Sequence, residues 1–239
     1  MFEKRYNVVT LCDWHVPFQD PTAIAAAFVF CKTVQPDIII LHELHDFYSI
    51  SRFSKDPARI DSLQEELDSV NAYLTILRRE CPTARIILLK SNHLDRLKRY
   101  LWNHAPALNS LRALQLEELL ELDKHRIEYM DVFTYQNFLW KHGDLVSVDS
   151  GMTARRELAR EGMSGCSGHT HRLGQIYKRN RSGEYTWIES GCLCDLEPEW
   201  VDGITDWKHG ISIVSFMGPG RKTYFAAGLP IIDGEITLT

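Results

Sequence analysis

The chain lacks most of the features that assign a sequence at a glance. Its six cysteines, Cys12, Cys31, Cys81, Cys166, Cys192 and Cys194, form no CxxC pair, which argues against a zinc ribbon or a dithiol redox motif and leaves them as free, buried thiols. No apolar run approaches the length that spans a bilayer. Met1–Tyr6 passes straight into the strand-like Val8-Val9-Thr10-Leu11 without the apolar stretch of a signal peptide, so a cytoplasmic product with no membrane association is expected. Positive charge is not in excess either. The formal net charge of −5 argues against a generally basic nucleic-acid binder, although such a count leaves a local basic groove open. No internal repeat or low-complexity linker marks a domain boundary.

What is present suits one α/β domain over residues 1–239, with 44% hydrophobic and 25% charged residues. Val8–Leu11 reads as a buried strand, and Asp20 as a cap with Pro21 as first residue starts a helix to Val34. Asp37–Leu41 is the next strand. Apolar residues at helical spacing, Ile60, Leu63, Leu67, Val70, Leu74 and Leu77, predict a helix over Ala58–Glu80 that stops at Cys81-Pro82 before the strand Arg85–Leu89. Such a βαβαβ run implies parallel strands with right-handed crossovers and functional loops at the carboxyl ends. Residues 94–122 are helical with a break at Pro106 and form a cap or flank; of its cations, Lys98, Arg99 and Arg112 read as a solvated face, while Arg96 lies close to His93. Short strands follow at Arg126–Met130, Phe138–Lys141, Gly165–Ser167, Leu173–Lys178, Tyr185–Glu189, Ile211–Phe216 and Lys222–Ala226, interrupted by a helix at Thr153–Arg160. Two packed mixed sheets flanked by helices satisfy this order.

Five polar segments sit where hydrophobic runs end: Asp13-Trp14-His15, Glu43-Leu44-His45-Asp46, Asn92-His93, His142-Gly143 and Gly168-His169-Thr170-His171. Strand alternation beyond Leu11 puts Asp13 and His15 on one side and Trp14 on the other, so one ion could be held by both. Carboxylate, imidazole and amide oxygen are ligands that Mn, Fe and Zn accept, and two such ions activate water and clamp a phosphate. Phosphoester hydrolysis is the chemistry these residue types suit.

In order and spacing the blocks resemble those of the calcineurin-like metallophosphoesterase superfamily, and most of all its small phage-encoded and bacterial members. That pattern runs DxH, GDxxD, GNH followed by an acid, a later His beside Gly, and GHxH, and it spans essentially the whole chain. The resemblance implies a four-layer αββα sandwich with a dinuclear centre at the sheet edge. It implies that Asp13, His15 and His171 bind one metal, that Asn92, His142 and His169 bind the other, and that Glu43 bridges them, sharing a hydroxide that attacks phosphorus. Manganese is the first expectation for both ions, with iron, zinc or nickel as alternatives. His93 would stabilise the phosphoryl group or protonate the leaving group, held in a cationic state by Asp46.

The second block departs from the pattern: His42-Glu43-Leu44-His45-Asp46 stands where GDxxD is expected. Three readings follow: Glu43 bridges in an adapted site, His45 or His42 substitutes, or one metal position is weak. Ser91 before Asn92 and Leu94 after His93 are milder departures that remove no ligand. Arg52, Arg96 and Arg172 are the candidate phosphate clamps, since guanidinium pairs bidentately with phosphate. Trp14, Tyr48 and Phe53 are expected in the core, and Asp144 could support a ligand histidine from behind. The substrate is then a phosphomonoester or phosphodiester, including a nucleotide or nucleic acid. Two other functions are compatible with the fold: a nuclease like the DNA-end-processing members of the superfamily, and a degenerate binding scaffold.

Overall fold

A computed structural model describes residues 5–55, 62–198, 201, 203–217 and 223–236. Strand β1 (Tyr6–Cys12) leads to helix α1 (Pro21–Val34), β2 (Ile38–His42), α2 (Leu63–Glu80) and β3 (Arg85–Leu89). Asp20 caps α1 by accepting the Ala23 N–H at 2.8 Å. Ser62 and Glu65 exchange hydrogen bonds in a capping box that starts α2. The helix expected from Ala58 therefore begins at Leu63; residues 58–61 of that expectation lie outside the described residues. The flanking segment comprises α3 (Asp95–His104), two 3-10 turns, α4 (Leu116–Leu119) and α5 (Leu122–His125). Then come β4 (Ile127–Met130), β5 (Phe133–Tyr135), β6 (Phe138–Lys141), α6 (Met152–Glu161), β7 (Ser164–Ser167), β8 (Leu173–Asn180), β9 (Gly183–Ser190), β10 (Gly210–Phe216), β11 (Tyr224–Ile232) and β12 (Glu235–Ile236).

These strands form a seven-stranded sheet in the order β12-β11-β10-β1-β2-β3-β4 and a five-stranded sheet in the order β5-β6-β7-β9-β8. Both are mixed. β1 to β4 run parallel and β10 to β12 antiparallel to their neighbours, while β6, β7 and β9 are parallel and the edge strands antiparallel. The pleat distributes side chains between layers. Val9, Leu11, Ile39, Leu41, Ile86 and Leu88 pack with Ile24, Phe28, Leu67, Val70 and Leu74 of α1 and α2. Their neighbours Val8, Ile38, Ile40, Ile87 and Leu89 face the second sheet's Phe138, Trp140, Cys166 and Ile188. On the far side of that sheet Leu139 and Trp187 meet Ala154 and Leu158 of α6. The result is the αββα sandwich that the sequence implied.

Strand registers place the site. Cys12 pairs with His42 and His42 with Leu89, so β1, β2 and β3 end at one level; Lys141 pairs with Ser167, so β6 and β7 do the same. Residues 13, 43, 90, 142 and 168 thus leave two sheets at flush edges. Two strands were not foreseen. β5 is three residues long and hairpins onto β6 through Gln136 and Asn137, both at positive φ (47° and 63°). β11 continues past Ala226 through Gly228 and Pro230, residues that compositionally read as a strand end, and β12 pairs with its tip. Among the described residues no helix is long and apolar enough to cross a membrane.

Gly165 in β7 lies where a Cβ would come within 2.6 Å of Trp187 Cζ3 and 2.7 Å of the Leu139 carbonyl oxygen. The backbone contact cannot be relieved by a rotamer. Gly165→Ala should destabilise the fold by roughly 1–3 kcal/mol, as overpacking does, read as a lower urea midpoint at unchanged m-value.

Candidate metal centre

The loops leaving the flush strand ends are tightly bent. Asp13, His15, Glu43, His169 and His171 all have positive φ (56°, 50°, 49°, 72° and 58°), a region that costs about 1–3 kcal/mol for a residue with a side chain. The extended alternation expected for Asp13 and His15 is therefore replaced by left-handed turns, which still send both side chains into the site and Trp14 into the core. Cross-loop hydrogen bonds hold the strain. The Asp13 N–H donates to His42 O (3.1 Å), Trp14 to Glu43 O (2.9 Å), Val16 to Leu44 O (3.0 Å) and Asp46 to Val16 O (2.8 Å). Between the sheets, the His169 N–H donates to Asp13 Oδ2 at 2.9 Å; within the second sheet's edge, the Gly168 N–H donates to His142 O at 3.0 Å.

Among the described residues three groups of side chains converge tightly enough to hold a metal ion: Asp13, His15 and His171; Glu43, His142 and His169; and His15, Asp46 and His93. His15 Nε2 lies 2.9 Å from His171 Nε2. His142 Nε2 lies 2.5 Å from Glu43 Oε2, 2.8 Å from Asn92 Oδ1 and 3.2 Å from His169 Nδ1. All seven candidate ligands are thus gathered, in two sets. Asp13 Oδ1, Glu43 Oε1 and His142 Nδ1 are buried without a hydrogen-bond partner. Buried nitrogen and oxygen donors left open in this way fit divalent cations. His42 and His45 are fully buried, with both ring nitrogens unpartnered, but neither belongs to a converging group among the described residues. His45 instead packs its ring 3.8 Å from that of Phe47.

Burial dominates the electrostatics. It pushes the Asp13 carboxyl up to about 6, against the pull of His142. It also acts to raise Glu43, but the surrounding His142, His93 and His15 outweigh it and hold that carboxyl well below the ordinary range. Burial disfavours charge on His15 and His142 too, yet Asp46 and Glu43 respectively reverse the balance, so both hold a proton more firmly than a free imidazole. Burial lowers His169 to about 4 and His171 well below its ordinary value, leaving neutral rings with lone pairs to donate.

His93 and Asp46 stand beside the ligands. His93 Nδ1 is 3.2 Å from both Asp46 Oδ2 and Glu43 Oε1. Arg96 reaches back from the first turn of α3, placing Nη2 2.6 Å from His93 Nε2 and Nη1 2.5 Å from Asp46 Oδ1. An arginine only donates, so His93 presents a lone pair on Nε2 and its proton on Nδ1. Burial lowers the His93 pKa despite the two carboxylates and so works against the cationic ring expected from the sequence. These residues border a cavity of about 550 Å³. Of the other candidate clamps, Arg52 lies in the adjoining cavity, whereas Arg172 is drawn away by Asp206 (2.5 Å) and the Ser147 carbonyl (2.9 Å). Phe53, expected in the core, is 59% exposed on the cavity rim, and Asp144 pairs with Arg160 rather than with a ligand histidine.

Three contributors were not foreseen. Trp207 packs its ring 4.1 Å from that of His171 and lines the cavity, from a loop with no periodic pattern. Glu189, fully buried, accepts from Gly151 N (2.7 Å) and Thr170 Oγ1 (2.9 Å) and so braces the Gly168–His171 loop; its signal was an acid directly after Trp187-Ile188 at the end of β9. Glu66 on α2 accepts the Phe47 N–H at 2.5 Å, fixing the loop that carries Glu43 and Asp46.

No family model matches the chain. It is similar to the Gene 54 protein of Mycobacterium phage L5, 25% identical across 97% of this chain and 96% of that protein, and to the Gene 54 protein of Mycobacterium phage D29, 26% identical across the same shares. Among solved structures it is similar to a single-mutant Vps29 from Entamoeba histolytica, with 12% identity, a TM-score of 0.46 and coverage of 97% and 96% of the two chains. Vps29 of Chaetomium thermophilum follows with 10% identity, a TM-score of 0.40 and coverage of 97% and 90%.

Two outcomes test this geometry. A Cβ on Gly168 would fall 2.7 Å from Asp13 Oδ2 and 3.0 Å from His42 Nδ1. Gly168→Ala should weaken divalent-cation binding by about tenfold or more, equivalent to at least ~1.4 kcal/mol, in calorimetric titration of a protein whose circular dichroism is unchanged. The second concerns Glu66, which burial, with Asp46 adding to it, raises from 4.5 to about 8. A carboxyl raised on folding stabilises fully below its unfolded value and loses that contribution as pH rises through the folded one. Stability should thus fall between about pH 4.5 and pH 8, at no more than about 1.4 kcal/mol per pH unit. Glu66→Gln should remove this slope in urea denaturation measured across that range.

Proposed function

We propose that the chain is a metal-dependent phosphoester hydrolase with a dinuclear centre. The observation that carries this reading is the convergence of seven ligand-type side chains into two adjacent sets, with His15, Glu43, Asn92, His169 and His171 lining one cavity. Asp13, His15 and His171 would hold one divalent ion, and His142, His169 and Asn92 the other. Manganese is the first candidate, with iron, zinc or nickel acceptable to the same donors. When bound, such a pair lowers the pKa of water and neutralises charge on a phosphoryl group.

Glu43 is the joining residue in this reading. Its Oε2 is already engaged with the His142 set, while Oε1 is buried with no hydrogen-bond partner among the described residues and lies 3.2 Å from His93 Nδ1. Its left-handed backbone (φ 49°) supplies the local adjustment by which a glutamate can stand in an aspartate's place. His42 and His45 remain buried neutral rings, both lowered to about 3 by burial. Asp46 lies 3.2 Å from His93 Nδ1 and anchors Arg96, so a phosphoryl oxygen entering beside Arg96 and His93 meets a permanent cation and a ring able to take up and deliver a proton. Arg96 acts here as both anchor and clamp.

Metal analysis of the purified protein, with hydrolysis of an aryl phosphate and a bis-aryl phosphate in Mn²⁺, tests the proposal. About two ions per chain and activity abolished by chelation are expected. His93→Ala should cost about 100-fold or more in turnover while the metal stays bound. Glu43→Asp should preserve or raise activity, and His45→Ala should leave it largely intact. A protein that neither binds metal nor hydrolyses either ester would sink the hydrolase reading in favour of a binding scaffold.

A further inference from the structure

The cavity over the centre opens into a second one of about 560 Å³ that runs along α3. The two share Asn92, His93, Arg96, Ser51 and Phe53, so they form one groove. Arg52 and Phe53 make one wall of the extension; Arg96, Arg99, Tyr100 and Asn103 make the other, with His104 beyond. The α3 residues recur at spacings of three and four and so share a face, while Leu97 and Leu101 are buried. Among the described residues no carboxylate lines this extension, in a chain of formal charge −5. Arg99 is exposed and, among the described residues, pairs only with Asp95, at 3.7 Å; Arg52 has no acidic partner among the described residues and lies 5.2 Å over the Phe53 ring. Lys55 pins the wall by donating to Ser51 O (2.7 Å) and Phe53 O (2.6 Å).

Cations spaced along a groove, rather than gathered at one point, match a ligand whose negative charge repeats. Exposed aromatic faces between them match bases that are unpaired, since a duplex hides its base faces. Phe53 is 59% exposed and Tyr100 39%, both on this groove. We infer that the substrate is a single-stranded nucleic acid, whose scissile phosphodiester lies at the metal centre and whose neighbouring phosphates run along Arg99 and Arg52. This assignment rests on the hydrolase reading of the same site. In the reaction a water oxygen bonds to phosphorus and the P–O bond to the leaving nucleoside breaks. One water proton ends on the departing oxygen, the other goes with the new terminal phosphate, and no redox partner is needed.

The test uses a fluorescent single strand of about 12 nucleotides, within the span one such surface covers, as DNA and as RNA. Binding is read by anisotropy in chelator, and cleavage in Mn²⁺ beside bis-aryl phosphate hydrolysis. For the Arg52→Gln/Arg99→Gln pair, binding should weaken at least tenfold, and the slope of log affinity against log salt should drop by about 0.7 per lost phosphate contact. The fall in kcat/KM on the strand should exceed that on the bis-aryl phosphate at least fivefold. Arg→Lys at both positions should restore the salt slope, and Phe53→Ala with Tyr100→Ala should weaken binding without changing it. A preference between DNA and RNA would identify the sugar. A wild type that hydrolyses the small ester but neither binds nor cleaves a strand would overturn the assignment and spare the hydrolase reading. Equal losses on both substrates, or duplex bound as tightly as single strand, would overturn it too. Absence of all hydrolysis would remove the hydrolase reading and this inference together.

Discussion

The Asp13 carboxylate is the tie between the two halves of the site. It leaves β1 in the first sheet, accepts the His169 N–H of the second sheet's loop, and faces His142 at 3.7 Å. Gly168 permits the approach because it has no side chain to oppose it. A fully buried carboxylate is costly unless paired and hydrogen-bonded. Here one oxygen is satisfied and the other is not, and its pKa rises accordingly. Neutral His169 and His171 bring lone pairs rather than charge, and the protons on His15 and His142 are held largely by other carboxylates, Asp46 and Glu43. The cluster is therefore rich in buried nitrogen and oxygen atoms, of which Asp13 Oδ1, Glu43 Oε1 and His142 Nδ1 have no hydrogen-bond partner among the described residues.

Strain and ligation coincide for a geometric reason. Parallel strands whose registers end flush deliver several loops to one edge, but an extended chain leaving a strand carries its side chains away from its neighbours. Left-handed turns at Asp13, His15, Glu43, His169 and His171 fold the side chains back toward a common point. Hydrogen bonds between loops help offset the cost, so the strain at residue 13 cannot relax without moving residues 42 to 44. Glu66 and Glu189 extend the same logic outward, one gripping the loop after β2 and the other the loop after β7. Each is a buried acid on a neighbouring element whose partners are main-chain or hydroxyl groups of a ligand-bearing loop.

The layers of the fold were legible because period-two and helical patterns in β1, α1, β2, α2 and β3 are local and strong. The β5 hairpin and the β12 tip were not, since three-residue and two-residue strands carry no period to read. The ligand-type residues were legible as blocks, yet the means by which they converge was not: periodicity describes extended and helical backbone, and the decisive residues adopt neither. Side-chain partners were the least readable. Arg172 follows the Gly168–His171 block directly but is claimed by Asp206, 34 residues on, and Arg96, three residues past His93, is the arginine that reaches it. Phe53 was assigned to the core on chemistry alone, whereas the structure exposes it at a cavity rim.

Net charge and local charge answer different questions. A formal −5 spread over the surface acts at long range only within the screening length, about 8–10 Å at physiological ionic strength. Inside a groove walled by Arg52, Arg96 and Arg99 the nearest charges set the potential, and low-dielectric walls sharpen it. Arg96 is the hinge between the two regimes. It spends one arm on Asp46, which fixes where it sits, and turns the other to His93 at the mouth of the centre. The same guanidinium thus closes the buried network and begins the open groove. The composition excludes a generally basic surface, and this arrangement shows why that exclusion does not reach the groove.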